Sequence, residues 1–453
     1  MPITTSRYSP QLDNPVAADP GIGRRTIALI ALLAALPTLA SAVRAGFIVD
    51  DWAFLRSAQQ SPMWWLHGPD IFYRPGQAAI HGVMFGLLGA HPLAHLLVLA
   101  GLEAAVVIVL AVVLGRLVSS RMTATILLVW ALLPNRSAPR LWSAAAPVSV
   151  SLLLLCLAAC CITARQRRPL VVTALCCAAV LTYEAGALVG AALIGIAWFD
   201  TDRAGRDRWF RVVRALSGFS AVVVWNVWHS PKGFEGYPPP SVVPQSLLGS
   251  GLMPHGVNGV ATTMLLAATL AVCATGLRSQ RHRRTSRFGL AFTAAALLPL
   301  LLAGAFPPGH GPGDRLNSVV LVGVAVLLGS GYEAIRCQAP RVVLVAAALF
   351  AGLTVAAQID DISAVNAARR DVDDTIVALS HLPQHLEGRS LILDAGDGHD
   401  GWFGFGWGSA RAAVEFETGT TVDIDDPRHA DIDPGPGDHV VSISGDRIVE
   451  HQR

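Results

Sequence analysis

Long apolar runs separated by connections of alternating character limit this chain to one kind of fold. Apolar stretches lie near 27–43, 93–115, 122–138, 143–164, 170–199, 215–229, 257–277, 288–306, 316–333 and 340–357. About 20 apolar residues cross a bilayer as a helix, so most of these read as one span each. Every second connection is rich in arginine: Arg24-Arg25, Arg116 with Arg121, Arg165 to Arg168, Arg203 to Arg214, Arg278 to Arg284, and Arg336 with Arg341. Basic connections stay on the cytoplasmic side. The stretch 170–199 is basic at both ends, so it reads as a hairpin with Tyr183-Glu184 at its tip. That gives about eleven transmembrane helices, with the amino terminus inside and the carboxyl terminus outside. Charged residues make up only 15% of the chain, against roughly 25% in soluble proteins, so a polytopic membrane protein is expected at the inner or plasma membrane.

Three regions follow from this pattern. Residues 1–25 read as a disordered cytoplasmic tail, 26–357 as the transmembrane domain, and 358–453 as a small extracytoplasmic α/β domain with Val/Ile-rich runs such as Leu391-Ile392-Leu393. Within the second region, 46–92 is too polar to span. Its Trp52, Trp64 and Trp65 suit the headgroup layer, and one or two helices lying on the membrane surface are expected there. The seven cysteines lie in or beside apolar runs and read as small buried residues. The many carboxylates after 390 read as a solvated acidic face.

The chemistry-bearing residues gather in the outer connections. Asp50-Asp51 emerges just after the first span, where a carboxylate is costly unless solvated or used. Such a pair can deprotonate an acceptor hydroxyl, or hold a divalent cation against a phosphate leaving group. Arg74 and Arg315 sit at outer ends of spans, as do Arg136 and Arg140, against the general charge pattern. A guanidinium fork suits phosphate. His91 and His95 lie one helical turn apart, a spacing that suits a capping or substrate-orienting role better than a metal site lacking a third ligand. Glu184 is an acid at a hairpin tip.

Taken in order, the motifs are Asp50-Asp51-Trp52, Phe72-Tyr73-Arg74-Pro75, His91-Pro92-Leu93-Ala94-His95-Leu96-Leu97, Leu133-Pro134 with Leu141-Trp142-Ser143, and Leu181-Thr182-Tyr183-Glu184. This order resembles the GT-C superfamily of membrane glycosyltransferases, most like its bacterial protein O-mannosyltransferase branch, over roughly residues 25–200. The resemblance implies transfer of a sugar from a polyprenyl-phosphate carrier to a glycan, lipid or protein acceptor of the cell envelope, with no nucleic acid partner. Asp50 would be the base or acceptor-binding carboxylate, and Asp51 would assist it or bind a metal. Either no cofactor or a divalent cation is implied. Arg74, Glu184, Arg315, Tyr73, His91, His95 and Arg140 would contact substrate or phosphate. One position departs from the pattern: Tyr183 stands where such proteins carry Lys, so an arginine must hold the carrier phosphate. Two other readings are a lipid or polysaccharide transporter, and a non-catalytic scaffold of the same fold. Transporters usually show inverted repeats and charges at mid-membrane, neither of which is visible here.

Overall fold

The computed structural model describes residues 21–61, 63–66, 74–164, 169–183, 247–248, 252–254, 259–302, 317–381, 391–394, 409–419, 424–425, 439–444 and 447–451. The chain is an α-helical polytopic membrane protein. Among the described residues, six helices are long and apolar enough to span: Arg24–Arg44, Pro92–Gly115, Ser143–Thr163, Gly259–Arg278, Asn317–Gln338 and Pro340–Ser380. Two shorter apolar helices, Ser120–Leu132 and Leu170–Thr182, stand beside them. The span expected at 215–229 and the second arm of the 170–199 hairpin lie outside the described residues.

In chain order the helices are α1 (Arg24–Ser41), α2 (Asp51–Gln60), α3 (Pro75–Leu87), α4 (Pro92–Gly115), α5 (Ser120–Leu132), α6 (Ala138–Leu141), α7 (Ala146–Thr163), α8 (Pro169–Thr182), α9 (Gly259–Arg278), α10 (Arg283–Leu302), α11 (Asn317–Gln338) and α12 (Pro340–Ser380). Strand β1 (Leu391–Asp394), α13 (Ser409–Thr418), β2 (Ile424–Asp425), β3 (His439–Ser444) and β4 (Arg447–His451) follow. The strands form one sheet in the order β2-β1-β3-β4, parallel across the first three and antiparallel between β3 and β4.

Two elements differ from the sequence expectation. The span expected at 122–138 is a helix of 13 residues ending at Leu132, about 20 Å long. Pro134 disfavours helical geometry at Leu133, and that residue is extended, with ψ at 121°. The boundary expected at 357/358 falls inside α12, which runs 41 residues without a break. After Gly352 the stretch contains neither glycine nor proline up to Ser380, so the helix leaves the apolar layer with nothing to stop it.

Side chains gather the connections at two ends. At one end Arg121 and Arg336 both pair with Glu333, and Arg116 donates to the Cys160 carbonyl at 2.7 Å. The connection 116–121 and the start of 336–341 therefore lie together, beside the end of α7. Close helix contact at that end rests on small residues: a Cβ on Gly331 would lie 2.3 Å from the Val272 carbonyl oxygen, which is the small-residue packing favoured between membrane helices. At the other end the segments 41–51, 133–145 and 358–369 meet. There Phe47, Trp52, Leu55, Phe85, Leu96 and Leu99 share one apolar core with Val372, Leu379, Leu391, Val414 and Val441. The connection after α1 and the polar carboxyl-terminal region thus pack as neighbours. In α3, Ala78, His81, Met84 and Phe85 face this core, while Val83 and Leu87 point away and are exposed, as suits a helix lying on a membrane surface.

Candidate active site

The acidic pair sits on a strained turn. Val49 has φ 52°, left-handed backbone that a β-branched residue rarely adopts and that costs of order 1–3 kcal/mol. The turn closes on itself: Asp51 N–H donates to the Ile48 carbonyl at 3.1 Å, and Ile48 N–H donates to Asp51 Oδ2 at 3.3 Å. Ile48 and Val49 are buried among Ala138, Leu141, Trp142, Val365 and Ala368. Packing on both sides holds the strained residue, and α2 starts immediately after it.

The two carboxylates have different surroundings. Asp51 is 1% exposed. Besides Ile48, it accepts from Ala144 N–H at 2.9 Å through Oδ1, so both of its oxygens hold backbone. Burial pushes its pKa up to about 8; the two amides, and the Arg369 charge, pull the other way but less strongly. Asp50, one residue earlier, is half-buried at the cap position of α2, and its side chain makes no capping bond there. Among the described residues no three His, Cys, Asp or Glu side chains lie together to hold a metal ion.

The Asp51 shift gives a stability prediction. A carboxyl whose folded pKa lies above its unfolded value stabilises the fold fully below about pH 4, and that stability is lost as pH rises towards 8. The steepest slope for one proton is about 1.4 kcal/mol per pH unit. In detergent, the thermal midpoint of the wild-type chain should therefore fall between pH 5 and 8. That of Asp51→Asn should change less over the same range. Parallel pH curves for the two would show that Asp51 is ionised in the folded chain.

Ala144 is held at both its polar groups. His81 in α3 donates from Nε2 to the Ala144 carbonyl at 2.9 Å. Burial drives the His81 pKa down to about 4, with the charge of Arg74 acting in the same direction, so the ring is neutral and carries its proton on Nε2. Phe54 of α2 packs against this ring at a tilt of 43°, with centroids 4.2 Å apart. Asp51, Ala144, His81 and Phe54 thus join α2, α3 and the start of α7 around the acidic turn.

Arg74 lies just before α3. It donates to Gln77 Oε1 at 3.1 Å, and its guanidinium lies 5.4 Å from the ring centroid of Tyr183. Gly76 allows this approach, because a Cβ there would meet Thr182 at 2.5 Å. The cation of Arg74 therefore stands beside position 183. His95 is buried, donates from Nε2 to the Gly89 carbonyl at 3.0 Å, and packs between Phe47 and Phe85. His91 is exposed at the start of α4. The two histidines thus sit in different environments, one in the aromatic core and one at the surface. Tyr73, Glu184 and Arg315 lie outside the described residues.

Arg140 belongs to a second cluster. Its guanidinium donates to the Leu133 and Ala131 carbonyls at 3.1 and 3.0 Å and to Glu103 at 3.4 Å. Arg136 pairs with the same Glu103 oxygen at 2.6 Å and lies 3.8 Å from the Trp130 ring centroid. Glu103, Arg136 and Arg140 are each 1% exposed. Gln358 donates to the Leu132 carbonyl at 3.0 Å, and Ser137 donates to Asp361. Arg140 and Gln358 thus satisfy the open carbonyls of Ala131, Leu132 and Leu133 at the end of α5, which would otherwise be costly where water is scarce.

The sequence reading passed over Glu103, His81 and Arg369. Glu103 had a legible signal: it is the one acid within the 24 residues of α4, and a carboxylate inside a span needs a partner. His81 and Arg369 carried no such mark.

No family model matches the chain, and no curated protein matches it. Among solved structures, it is similar to the archaeal oligosaccharyltransferase AglB from Archaeoglobus fulgidus, determined in complex with an inhibitory peptide and a dolichol-phosphate. The TM-score is 0.47 and the identity 10%, with 86% of this chain and 63% of that chain covered. This chain therefore spans less than two thirds of that protein's length, and an identity of 10% transfers no residue role.

Proposed function

We propose that this chain is a membrane glycosyltransferase of the GT-C type. It moves a sugar from a polyprenyl-phosphate carrier to a cell-envelope acceptor at the outer face of a bacterial inner or plasma membrane. Asp50 is the base that takes the acceptor's proton. The observation that carries this reading is the division of labour in the acidic pair. Asp51 has both oxygens on backbone amides, whereas Asp50 is half-buried on a turn held in a strained conformation. Strain of this kind collects where a side chain must be aimed. Asp51 serves the pair as its anchor, which leaves Asp50 as the carboxylate that would meet a divalent cation.

Arg74 is the cation for the carrier phosphate. Its guanidinium lies against Tyr183, the position where the resemblance implies a Lys, so the arginine just before α3 serves where the end of α8 offers no cation. The test is transfer from a labelled polyprenyl-phosphate sugar in membranes. Arg74→Ala should raise KM for that donor about 10- to 100-fold, in keeping with the loss of a charge-assisted bond to phosphate. Arg74→Lys should recover part of this, because a point charge replaces a two-pronged donor. Wild-type KM in the Ala variant would remove Arg74 from the donor site.

A further inference from the structure

The acidic turn is gripped from a part of the chain more than 300 residues away. Arg369 lies on α12, beyond its apolar half, and is 4% exposed. One terminal nitrogen donates to the Ser41 carbonyl at 3.1 Å and the Arg44 carbonyl at 2.9 Å. The other donates to the Leu141 carbonyl at 3.2 Å. The Arg369 stem lies against Gly46, where an added Cβ would come within 3.3 Å of its Cγ and Cδ. One guanidinium thus ties together the two backbone segments that frame the acidic pair. One segment runs from the end of α1 into the strained turn. The other reaches Ala144, which Asp51 and His81 hold.

A second contact acts on α2 from the same region of the chain. Glu415 of α13 pairs with Arg56 and with Arg411, and Phe416 meets Trp52 edge-on at 5.9 Å. Trp52 is the residue directly after Asp51. The start of α2 therefore has the polar carboxyl-terminal region on one side and the connection 133–145 on the other.

We propose that Arg369 is a positioning residue that locks the acidic turn, so that the region after the last span forms part of the active site rather than a separate appendage. The catalytic consequence rests on the reading of Asp50 as the base; the lock itself does not. A guanidinium shared among three carbonyls fixes both segments at once, and a shift of about 1 Å in a reacting group can cost about 100-fold in rate. α13 adds an aromatic and an ionic contact that keep α2 from swinging away.

Hydrogen exchange of the full chain in detergent tests the lock without using activity. Arg369→Ala should speed exchange in 45–51 and 141–146 at least about tenfold, the scale set by losing one charge-assisted bond, while α11 keeps its protection. Millimolar guanidinium should slow it again. Unchanged exchange in those segments, or no effect of guanidinium, overturns the proposal. Should Arg369→Ala fail to fold, Arg369→Lys serves in its place. A single ammonium cannot span all three carbonyls, so intermediate protection is expected, and wild-type protection overturns the lock. Phe416→Ala should loosen 51–60 while 141–146 stays protected.

In the transfer assay, Arg369→Ala should lower kcat about 10- to 100-fold with donor KM within about a factor of two, and guanidinium should restore part of the loss. The two readings fail separately. If Asp50→Asn retains transfer while exchange shows the lock, the assignment of Asp50 falls and the lock stands. If Asp50→Asn abolishes transfer while Arg369→Ala keeps both protection and kcat, the lock falls.

Discussion

Asp50→Asn is expected to lower sugar transfer by about 10²- to 10⁴-fold, the usual contribution of a positioned general base, without unfolding the chain. Asn has nearly the same shape, and Asp50 makes no capping bond at the start of α2 that the substitution could break. The loss should appear in kcat, with little change in donor KM, because the carrier phosphate is assigned to Arg74. Asp51→Asn should behave differently. Asn can keep one acceptor for Ala144 N–H, but it turns an amide group towards Ile48 N–H, so the strained turn loosens and stability changes along with rate. The measurement is turnover of a labelled polyprenyl-phosphate sugar in membranes, set beside thermal midpoints of the purified variants. Full activity of Asp50→Asn would remove the base from the mechanism.

Glu103→Ala is expected to be the most destabilising single change, at about 3–5 kcal/mol. It would leave the guanidiniums of Arg136 and Arg140 buried beside each other without their shared carboxylate. The penalty arises chiefly from charge stranded away from water; the lost volume matters less. Glu103→Gln should therefore still be clearly destabilised although its shape is kept. Combining Glu103→Leu with Arg136→Met should be milder than Glu103→Ala alone, because a charge leaves with its partner. Thermal unfolding in detergent reads all three. Near-wild-type stability for Glu103→Ala would show that the arginines need no counter-charge there. Because Arg140 also holds the end of α5, loss of this cluster should spread to the connection 133–145 and from there to Ala144.

Much of the architecture was legible in the chain before any contact was known. Apolar length and the placement of arginine act segment by segment, because each run of about 20 residues partitions into the bilayer on its own account. The spans at 93–115, 143–164, 257–277 and 316–333 correspond closely to α4, α7, α9 and α11. The expectation of surface helices in 46–92 drew on local signals of the same kind, its tryptophans and its half-apolar run from 77 to 88. Where the segment reading failed, the cause was also local but weaker. Pro134 shortened α5, and the lack of a breaker after Gly352 carried α12 past the expected boundary.

The site was legible only as a list of types. Asp50-Asp51, Arg74 and Arg140 stood out because charge near a membrane is costly, but cost does not name a partner. Only the tertiary structure decided that Asp51 holds Ala144, that Arg74 lies on Tyr183, that Arg140 serves Glu103, and that Arg369 reaches back to residues 41 and 44. These pairings join positions from about 40 to more than 300 residues apart. The strain at Val49 likewise exists only because packing from α6 and α12 holds it. Hydropathy and charge pattern therefore determined that the chain crosses a membrane and which connections carry its charged candidate residues. The different surroundings of the two carboxylates, one buried on two backbone amides and one half-buried, came from three-dimensional packing, since hydrogen bonding and burial depend on distances that no stretch of sequence encodes by itself.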